Sequence, residues 1–418
     1  MNFIGGKRCT YEASIVALEG LEADILNTLN QNPLKLNVVL EACDQISKTL
    51  ISKTNVAQLM AVGMSEEKAK RELEDVQAML NKEALLKRLE IELGTLEEGH
   101  AWKPLGVLLH IAAGNVDALP AYSVIEGLLT GNINLLKLPG GGDVLSILLL
   151  EQLITLEPTL APYVYVFAYP SERLDLMEKL VACADAIVLW GSDEAVMALR
   201  RLAPPNVKLI EWGHKISFGY VSGDLTKVDV KGLAYNICDT NQLLCTACQG
   251  IYVDTASYDE VQAFAERFAK VLDEMATQMP IQMSPFTRAH LNILLHTEQL
   301  ESRISDPLKP QKKVYPGSAS AVICYSDGAL TPSYKFRTCW VKPLPKDKIL
   351  QTLKKHKSHL QTVGLVSTED NRAYLERLLI TAGVQRITSG EEMSKGYLGM
   401  PHDGKFALRE YMKITALK

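Results

Sequence analysis

The chain has 418 residues, of which 47% are hydrophobic and 22% are charged, and its formal net charge is −5. The length allows two or three domains with large cores, and the charge balance gives no support for nucleic-acid binding. The N-terminus lacks the apolar stretch of a signal peptide, and no apolar run reaches the roughly 18 residues of a membrane span, so we expect a cytoplasmic protein.

The first hundred residues predict a layer of helices. Apolar Leu73, Val76 and Leu80 recur at helical spacing. Ser65 followed by Glu66 suits a helix N-terminus, where a capping hydroxyl and negative charge are favoured. We interpret these helices as a packing layer.

From Leu105 the pattern alternates between strands and helices. Four helix-like runs separate five apolar runs, which read GVLLHI, INLLKL, YVYVFA, AIVLW and VKLIEW. Apolar strands that alternate with helices indicate a parallel sheet covered on both faces. Ligands of such sheets bind at the carboxyl ends of the strands, so we expect the functional residues to follow the strands.

The second half alternates in the same way after a boundary near Gly213. Strand-like GIYVDT, AVICYS, TCWVKPL and TVGLVS are separated by helical or loop segments. This pattern predicts a second α/β unit. The end of the chain, HDGKFALREYMKITALK, predicts a short helix and an exposed strand, which is typical of a subunit contact.

Two of the eight cysteines, Cys245 and Cys248, lie on a short polar turn before the strand GIYVDT. A structural zinc site needs four ligands, and neither a second Cys-x-x-Cys pair nor paired histidines complete one here, so we expect no metal. A redox Cys-x-x-Cys usually opens a helix, whereas this pair precedes a strand. A nucleophile is favoured, although the redox interpretation stays open and most cysteines are small buried hydrophobes.

A catalytic thiolate needs a base or cation, oxyanion donors and, for redox chemistry, an electron partner. Residues after the first five strands offer candidates: Asn115 as an amide donor, Glu211 as a base, and Lys137 as a ligand of ribose or phosphate. The run from Gly140 to Gly142 would let a dinucleotide approach the backbone. Each side chain has a structural alternative: Asn115 as a helix cap, Glu211 in a salt bridge and Lys137 on the surface.

Taken together, these segments resemble the aldehyde dehydrogenase superfamily and, within it, the long-chain acyl-CoA reductases of the LuxC family. GVLLHIAAGNV is similar to the segment that carries the superfamily's oxyanion-hole asparagine, here Asn115. IEWGHK resembles the "E-L-G-G-K" segment, which implies Glu211 as the general base and Gly213 beside the cofactor. Cys245 follows at the separation usual for the superfamily's nucleophile.

The cofactor residues are implied by the same resemblance. LLTGNINLLKLP is similar to the "GN…K-P" strand, which implies Lys137, Pro139 and Gly140, and IVLWGSDEAV resembles the "T-G-S" turn under the nicotinamide, which implies Gly191 and Ser192. Gly140 stands where an acid reads the adenosine ribose hydroxyls in the superfamily. The missing carboxylate removes a repulsion against a 2′-phosphate, so we expect NADPH, with NADH left open.

The resemblance implies an α/β, aldehyde-dehydrogenase-like fold. A Rossmann-type parallel-sheet cofactor domain with the helical N-terminal layer spans residues 1–212, a second α/β catalytic domain 213–395, and a closing loop with an oligomerisation tail 396–418. The implied reaction is NADPH-dependent reduction of a long-chain fatty acyl-CoA, or another acyl thioester, to the fatty aldehyde through a thioester on Cys245. A homodimer or homotetramer and an acyl-protein synthetase partner are implied as well.

Two other functions stay open. An NAD(P)-dependent aldehyde dehydrogenase, CoA-acylating or oxidising, is supported by Glu211. It is opposed by the absence of the superfamily's "E-x-F-G-P" motif, since FRTCWVKPL stands in its place. A non-catalytic dinucleotide-binding scaffold for a synthetase would leave Cys245 an ordinary thiol.

Overall fold

The computed structural model describes residues 2–31, 33–61, 64–112, 118–138, 143–281, 283–304 and 311–417. The chain divides into two compact units. The first unit comprises Met1–Gly213 and Tyr397–Lys418, and the second comprises His214–Gly396. Within the described ranges, no helix combines the length and apolar character needed to cross a bilayer.

The first unit begins with a short hairpin and a layer of helices. The hairpin strands are β1 (Asn2–Ile4) and β2 (Lys7–Cys9), and the helices are α1 (Tyr11–Leu29), α2 (Leu36–Thr49), α3 (Lys53–Ala61), α4 (Glu66–Leu80) and α5 (Lys82–Leu93). The side chains of Thr10 and Asn81 cap α1 and α5 by accepting the N–H of Ala13 and Ala84. The hairpin strands are three residues each, too short for an alternating pattern to predict them.

Between His100 and Trp212, strands and helices follow one another along the chain. They are β3 (His100–Pro104), β4 (Val107–Ile111), α6 (Leu119–Leu129), β5 (Ile133–Lys137), α7 (Val144–Leu156), β6 (Val164–Phe167), α8 (Leu174–Ala182), β7 (Ala186–Trp190), α9 (Asp193–Leu202) and β8 (Lys208–Trp212). The five predicted strands correspond to β4 to β8.

The sheet of the first unit has the strand order β2-β1-β6-β5-β4-β7-β8. Strands β4 to β8 pair in parallel, and β1 joins β6 antiparallel. The order β6-β5-β4-β7-β8 is that of a Rossmann sheet, in which the chain changes direction beside the first strand. Apolar side chains of α2, α6 and α7 pack on one face and those of α1, α8 and α9 on the other, which explains the almost wholly apolar strands.

The second unit is also built around a mostly parallel sheet. Its elements are β9 (Ile216–Val221), α10 (Lys231–Thr240), β10 (Cys248–Val253), α11 (Tyr258–Gln278), α12 (Pro285–Glu301), β11 (Lys312–Pro316), β12 (Ala321–Tyr325), β13 (Thr338–Pro343), α13 (Ile349–Leu353), β14 (Leu360–Val366), α14 (Glu369–Ala382) and β15 (Arg386–Thr388). The strand order is β11-β12-β13-β10-β9-β14-β15, with β11 antiparallel to β12. All six residues of β9 are buried in the middle of this sheet.

The chain then returns to the first unit. Helix α15 (Ala407–Glu410) leads into β16 (Met412–Ala416), which pairs antiparallel with β3. Tyr411 between them is fully buried, and Leu408 donates its backbone N–H to the carboxylate of Glu92 at 2.9 Å. Ala407 and Tyr411 therefore belong to this unit's core, whereas most of β16 is exposed.

Candidate active site

The second unit presents Cys245 on the turn between α10 and β10. Asn241 and Gln242 follow α10 in the left-handed backbone region, with φ of 49° and 60°. Consecutive non-glycine residues rarely adopt this conformation unless their surroundings hold it. The Gln242 side-chain amide donates to the carbonyls of Cys248 at 3.0 Å and Gln249 at 3.2 Å, which ties the start of the turn to the strand that follows.

Two more buried side chains hold the same turn. The Gln249 amide donates to the carbonyl of Gln242 at 3.1 Å, and its Oε1 accepts the hydroxyl of Ser333 at 2.6 Å. Arg337, which is 2% exposed, donates from Nε to Oδ1 of Asn241 at 2.9 Å. Because these groups are buried and hydrogen-bonded, a shift of the turn would leave polar atoms unpaired, which is costly.

The two cysteines of the turn lie in opposite environments. Cys245 is exposed, whereas Cys248 is fully buried and donates from Sγ to the carbonyl of Gly250 at 3.3 Å. Burial raises the pKa of the Cys248 thiol to about 12. Since the thiolate is the reactive form, Cys248 is an inert core thiol at neutral pH. Among the residues that the structure describes, no group of three or more His, Cys, Asp or Glu is arranged to hold a metal ion.

Lys137 ends β5 at the carboxyl edge of the first sheet. The residue is 5% exposed, and its Nζ donates to the hydroxyl of Ser171, in the turn after β6, at 3.1 Å. Burial lowers the pKa of Lys137, and the nearby carboxylate of Glu172 opposes this shift. A cation and a hydroxyl side by side at this edge are suited to bind ribose hydroxyls or a phosphate.

Gly191 and Ser192 connect β7 to α9 at the same edge. The Ser192 hydroxyl caps α9 by accepting the N–H of Ala195 at 3.5 Å. A Cβ added to Gly191 would lie 3.3 Å from the Cβ of Ala195, so the connection leaves little room for a larger residue. The turn follows β7 at the carboxyl edge of the sheet, where ligands of parallel sheets bind.

Glu211, on β8, is held in an ion pair. Its two carboxylate oxygens accept from Nε of Arg200 at 2.6 Å and from Nη2 at 2.7 Å. Arg200 lies in the last turn of α9, where a cation is favoured by the helix dipole. The structure thus shows the salt-bridge arrangement of Glu211, and its role as a base stays a prediction.

The described site residues fall into two groups. Five share the carboxyl edge of the sheet in the first unit: Lys137, Gly191, Ser192, Glu211 and Gly213. Cys245 belongs to the second unit. Three predicted site residues lie outside the described ranges: Asn115, Pro139 and Gly140.

The sequence of this chain matches a known protein family. The model of the family described as "Acyl-CoA reductase (LuxC)" matches residues 31–414, which include the parallel strands of both sheets and the Cys245 turn. The chain belongs to the LuxC family.

Curated LuxC relatives match most of the chain at low identity. The "Long-chain acyl-protein thioester reductase" of Aliivibrio fischeri is 23% identical over 371 residues, which is 85% of this chain and 75% of that protein. The "Long-chain acyl-protein thioester reductase 2" of Photobacterium leiognathi is 22% identical over 426 residues, covering 94% of this chain and 85% of that protein.

Solved structures confirm the predicted aldehyde-dehydrogenase-like fold of this LuxC chain. Glyceraldehyde-3-phosphate dehydrogenase GapN from Methanocaldococcus jannaschii, complexed with NADP, superposes with a TM-score of 0.70 at 14% identity, covering 98% of this chain and 94% of that one. Bifunctional proline utilization A (PutA) superposes with a TM-score of 0.71 at 15% identity, covering 98% of this chain but 45% of that much longer one. At these identities the likeness concerns the fold alone.

Several polar contacts of this LuxC chain were not predicted from the sequence. They involve Ser171 beside Lys137, Arg200 on Glu211, and Ser217, whose hydroxyl donates to the carbonyl of Cys245 at 2.7 Å. A serine inside the otherwise apolar run ISFGYV was the one available signal, because a buried polar side chain needs a partner. Nothing local in the sequence pairs Arg200 with Glu211.

Proposed function

We propose that this protein reduces a long-chain fatty acyl thioester, such as an acyl-CoA, to the fatty aldehyde with NADPH, through a thioester on Cys245. The observation that carries the proposal is the exposure of Cys245. Of the eight cysteines, all of which lie in the described ranges, five are buried and two are half-buried. An accessible thiol on a turn fixed by buried side chains is what a nucleophile requires.

The first half of the reaction is acyl transfer. The Cys245 thiolate attacks the thioester carbonyl carbon, the new C–S bond forms, and the bond to the sulfur of coenzyme A breaks, so that coenzyme A leaves as a thiolate and takes up a proton. The oxyanion formed on the way is stabilised by the side-chain amide of Asn115 and a backbone N–H near Cys245. One such donor contributes roughly 10²- to 10³-fold to the rate.

The second half is reduction and release. When bound, the nicotinamide supplies a hydride to the acyl carbon. The hemithioacetal oxyanion on Cys245 then re-forms its C=O bond and breaks its C–S bond, which releases the aldehyde and restores the thiolate. The buried hydrogen bonds of Gln242 and Gln249 keep the turn in place through both halves.

The types of residue at the carboxyl edge of the first sheet suit a nicotinamide dinucleotide. The Lys137 ammonium and the Ser171 hydroxyl offer the cation and donor that an adenosine ribose or a 2′-phosphate requires. Gly191 lies directly after β7, at the sheet edge where ligands of parallel sheets bind. We assign the cofactor to these residues and to the remaining predicted ones: Pro139, Gly140, Ser192 and Gly213. NADPH is preferred over NADH because Gly140 places no carboxylate against a 2′-phosphate.

Reduction is favoured over aldehyde oxidation because Glu211 is already engaged. Water attack on an acyl-enzyme needs a free base, whereas both oxygens of Glu211 accept from Arg200. In the reductive direction the base is less important. The aldehyde dehydrogenase activity therefore stays the second candidate.

The names of the curated relatives also suggest a protein-bound acyl donor. Those relatives are long-chain acyl-protein thioester reductases, and a thioester on a partner protein would react with Cys245 in the same way as an acyl-CoA. We accordingly propose an acyl-protein synthetase as a partner, together with a cytoplasmic homodimer or homotetramer.

The decisive experiment is single-turnover acylation without cofactor. The protein is incubated with labelled tetradecanoyl-CoA, and peptides are mapped by mass spectrometry. We expect a thioester on Cys245 that is absent in Cys245→Ala, persists in Cys183→Ala, and is discharged as aldehyde when NADPH is added. Cys183 is a suitable control because its thiol is half-buried and not part of the turn. The absence of any adduct would favour a non-catalytic scaffold, and an adduct on Cys248 would refute the residue assignment.

A further inference from the structure

At Ser217, strand β9 lies between two strands, β10 and β14, whose pairing with it is irregular. Residues 248–251 of β10 stand opposite residues 217–219 of β9, so β10 carries one extra residue there. Residues 360–363 of β14 stand opposite residues 216–218, so β14 carries one as well. A bulge leaves backbone groups of the extra residue without their normal ladder partner. Two bulges that flank one residue therefore need another source of hydrogen bonds.

The Ser217 hydroxyl supplies one such bond to β14 and a further bond to the turn before β10. Ser217 is fully buried, and its Oγ accepts the backbone N–H of Thr362, inside the β14 bulge, at 3.0 Å. The same Oγ donates to the carbonyl of Cys245, just before β10, at 2.7 Å. A hydroxyl has one proton to donate and can accept in addition, so a single side chain serves both β14 and the turn that carries Cys245.

The contact fixes the backbone of the residue that carries the exposed thiol. With its carbonyl held toward the buried Ser217, Cys245 directs its side chain to the surface. The neighbouring Thr246 is anchored separately, since its hydroxyl donates to Oγ of Ser394 at 3.1 Å. The peptide between residues 245 and 246 is thus held on both sides.

We propose that Ser217 is a positioning residue for Cys245, whose hydroxyl fixes the direction of the thiol and keeps the negative end of the Cys245 carbonyl away from it. This proposal rests on the proposed function in that Cys245 is the residue acylated. Ser217 acts through the backbone and does not touch the substrate. Misplacing a nucleophile by about 1 Å can cost roughly 100-fold in rate, so a small backbone movement is enough to matter.

The chain offers a matched control at the other end of the same strand. Ser222 follows β9, is 1% exposed, and donates its hydroxyl to Oδ2 of Asp254 at 2.8 Å. Ser217→Ala and Ser222→Ala each remove one buried hydroxyl that flanks or belongs to β9. Both variants should lose comparable stability in urea unfolding, while Ser217→Ala alone releases the carbonyl of Cys245.

Two measurements test the proposal. In single-turnover acylation by tetradecanoyl-CoA, Ser217→Ala should be roughly 10- to 100-fold slower at saturation with an unchanged half-saturation concentration, and Ser222→Ala should match the wild type. In alkylation by iodoacetamide, mapped to Cys245, the pH midpoint should move upward in Ser217→Ala, because a released carbonyl dipole disfavours the thiolate. If Ser217→Ala does not fold, Ser217→Cys keeps the shape of the side chain with a larger atom and a weaker donor, and its acylation rate should lie between those expected for the wild type and for Ser217→Ala.

The outcomes separate this proposal from the proposed function. If the wild type is not acylated but Ser217→Ala still shifts the alkylation midpoint, the acyl-transfer function is wrong and the positioning role stands. If the wild type is acylated and the two alanine variants behave alike in both measurements, the positioning role is overturned and the function stands. A higher half-saturation concentration in Ser217→Ala with an unchanged acylation rate at saturation would likewise overturn the positioning role.

Discussion

Arg200 donates to both carboxylate oxygens of Glu211, at 2.6 and 2.7 Å, across the connection between α9 and β8. The Arg200 side chain is 54% exposed and that of Glu211 is 25% exposed. A pair this open to solvent contributes roughly 0–1 kcal/mol to the free energy of unfolding. Changes in activity after breaking it therefore report on chemistry and not on folding.

From this pair we predict that Arg200→Met raises the slow hydrolysis of the acyl-enzyme, because Glu211 becomes free to act as a base toward water. Glu211→Gln should abolish that gain in the double variant, while acylation of Cys245 changes by less than about tenfold in either single variant. Release of labelled fatty acid in the absence of cofactor measures the effect. Unchanged hydrolysis in Arg200→Met would show that Glu211 does not serve as a base.

The second prediction concerns Lys137. Replacing it by Met should weaken NADPH binding by roughly 10- to 100-fold, the usual effect of losing a hydrogen bond from a charged donor. Fluorescence titration with NADPH in the absence of substrate measures the change directly. Lys179→Met is the control, because Lys179 lies on α8 in a surface ion pair with Glu19. Equal affinities of the two variants would remove Lys137 from the cofactor site.

Most of the fold could be predicted because β4 to β7 are almost wholly buried and because a helix connects each strand of β4 to β8 to the next. Strand β9 was missed, although all six of its residues are buried. Its sequence ISFGYV contains Ser217 and Gly219, which weaken a strand pattern. Both residues have tertiary reasons: Ser217 bonds to β14 and to the Cys245 turn, and a Cβ on Gly219 would lie 2.9 Å from Leu233 of α10.

The candidate site shows the same limit. The position of Cys245 on a polar turn between a helix and a strand was visible in the sequence. The contacts that hold it join residues far apart in the chain, such as Ser217 with Cys245 and Arg337 with Asn241. Local periodicity reports which face of an element is buried, and it carries no information about which buried polar groups meet.

The third prediction concerns pH and His110, which is fully buried on β4. Its ring nitrogens lie 2.7 Å from Oγ of Ser123 and 3.0 Å from Oδ1 of Asn134, and the ring of Tyr411 packs edge-on against it. Burial lowers the pKa of His110 from 6.5 to about 4, and the hydrogen bond with Asn134 opposes the shift. The folded state thus keeps the neutral imidazole where the unfolded chain is already protonated.

A depressed folded pKa gives stability that is present above pH 6.5 and is lost as the pH falls toward 4. The shift corresponds to about 3 kcal/mol of unfolding free energy over that window. In urea unfolding at several pH values, the free energy of unfolding should fall more steeply with decreasing pH in the wild type than in His110→Gln. His100→Gln, at an exposed position on β3, should keep the wild-type slope.

The last prediction concerns a group of buried charged residues that contacts the C-terminal segment. Arg88 of α5 donates to the carboxylates of Glu92 and Glu126, whose side chains are 2% and 5% exposed. Glu126 also accepts from the hydroxyl of Tyr411 at 3.2 Å. Removing the arginine would leave two buried carboxylates without their cation, which typically costs about 3–5 kcal/mol.

Arg88→Met should therefore lower the free energy of unfolding of the first unit by about 3–5 kcal/mol, measured by urea denaturation. The neighbouring Lys87→Met is the matched control, because Lys87 pairs with Glu90 on the surface, with side chains 55% and 69% exposed. That variant should lose less than about 1 kcal/mol. Similar losses in both variants would mean that the buried charged residues do not hold the terminal segment. Truncation before β16 would then lower the free energy of unfolding equally in the wild type and in Arg88→Met.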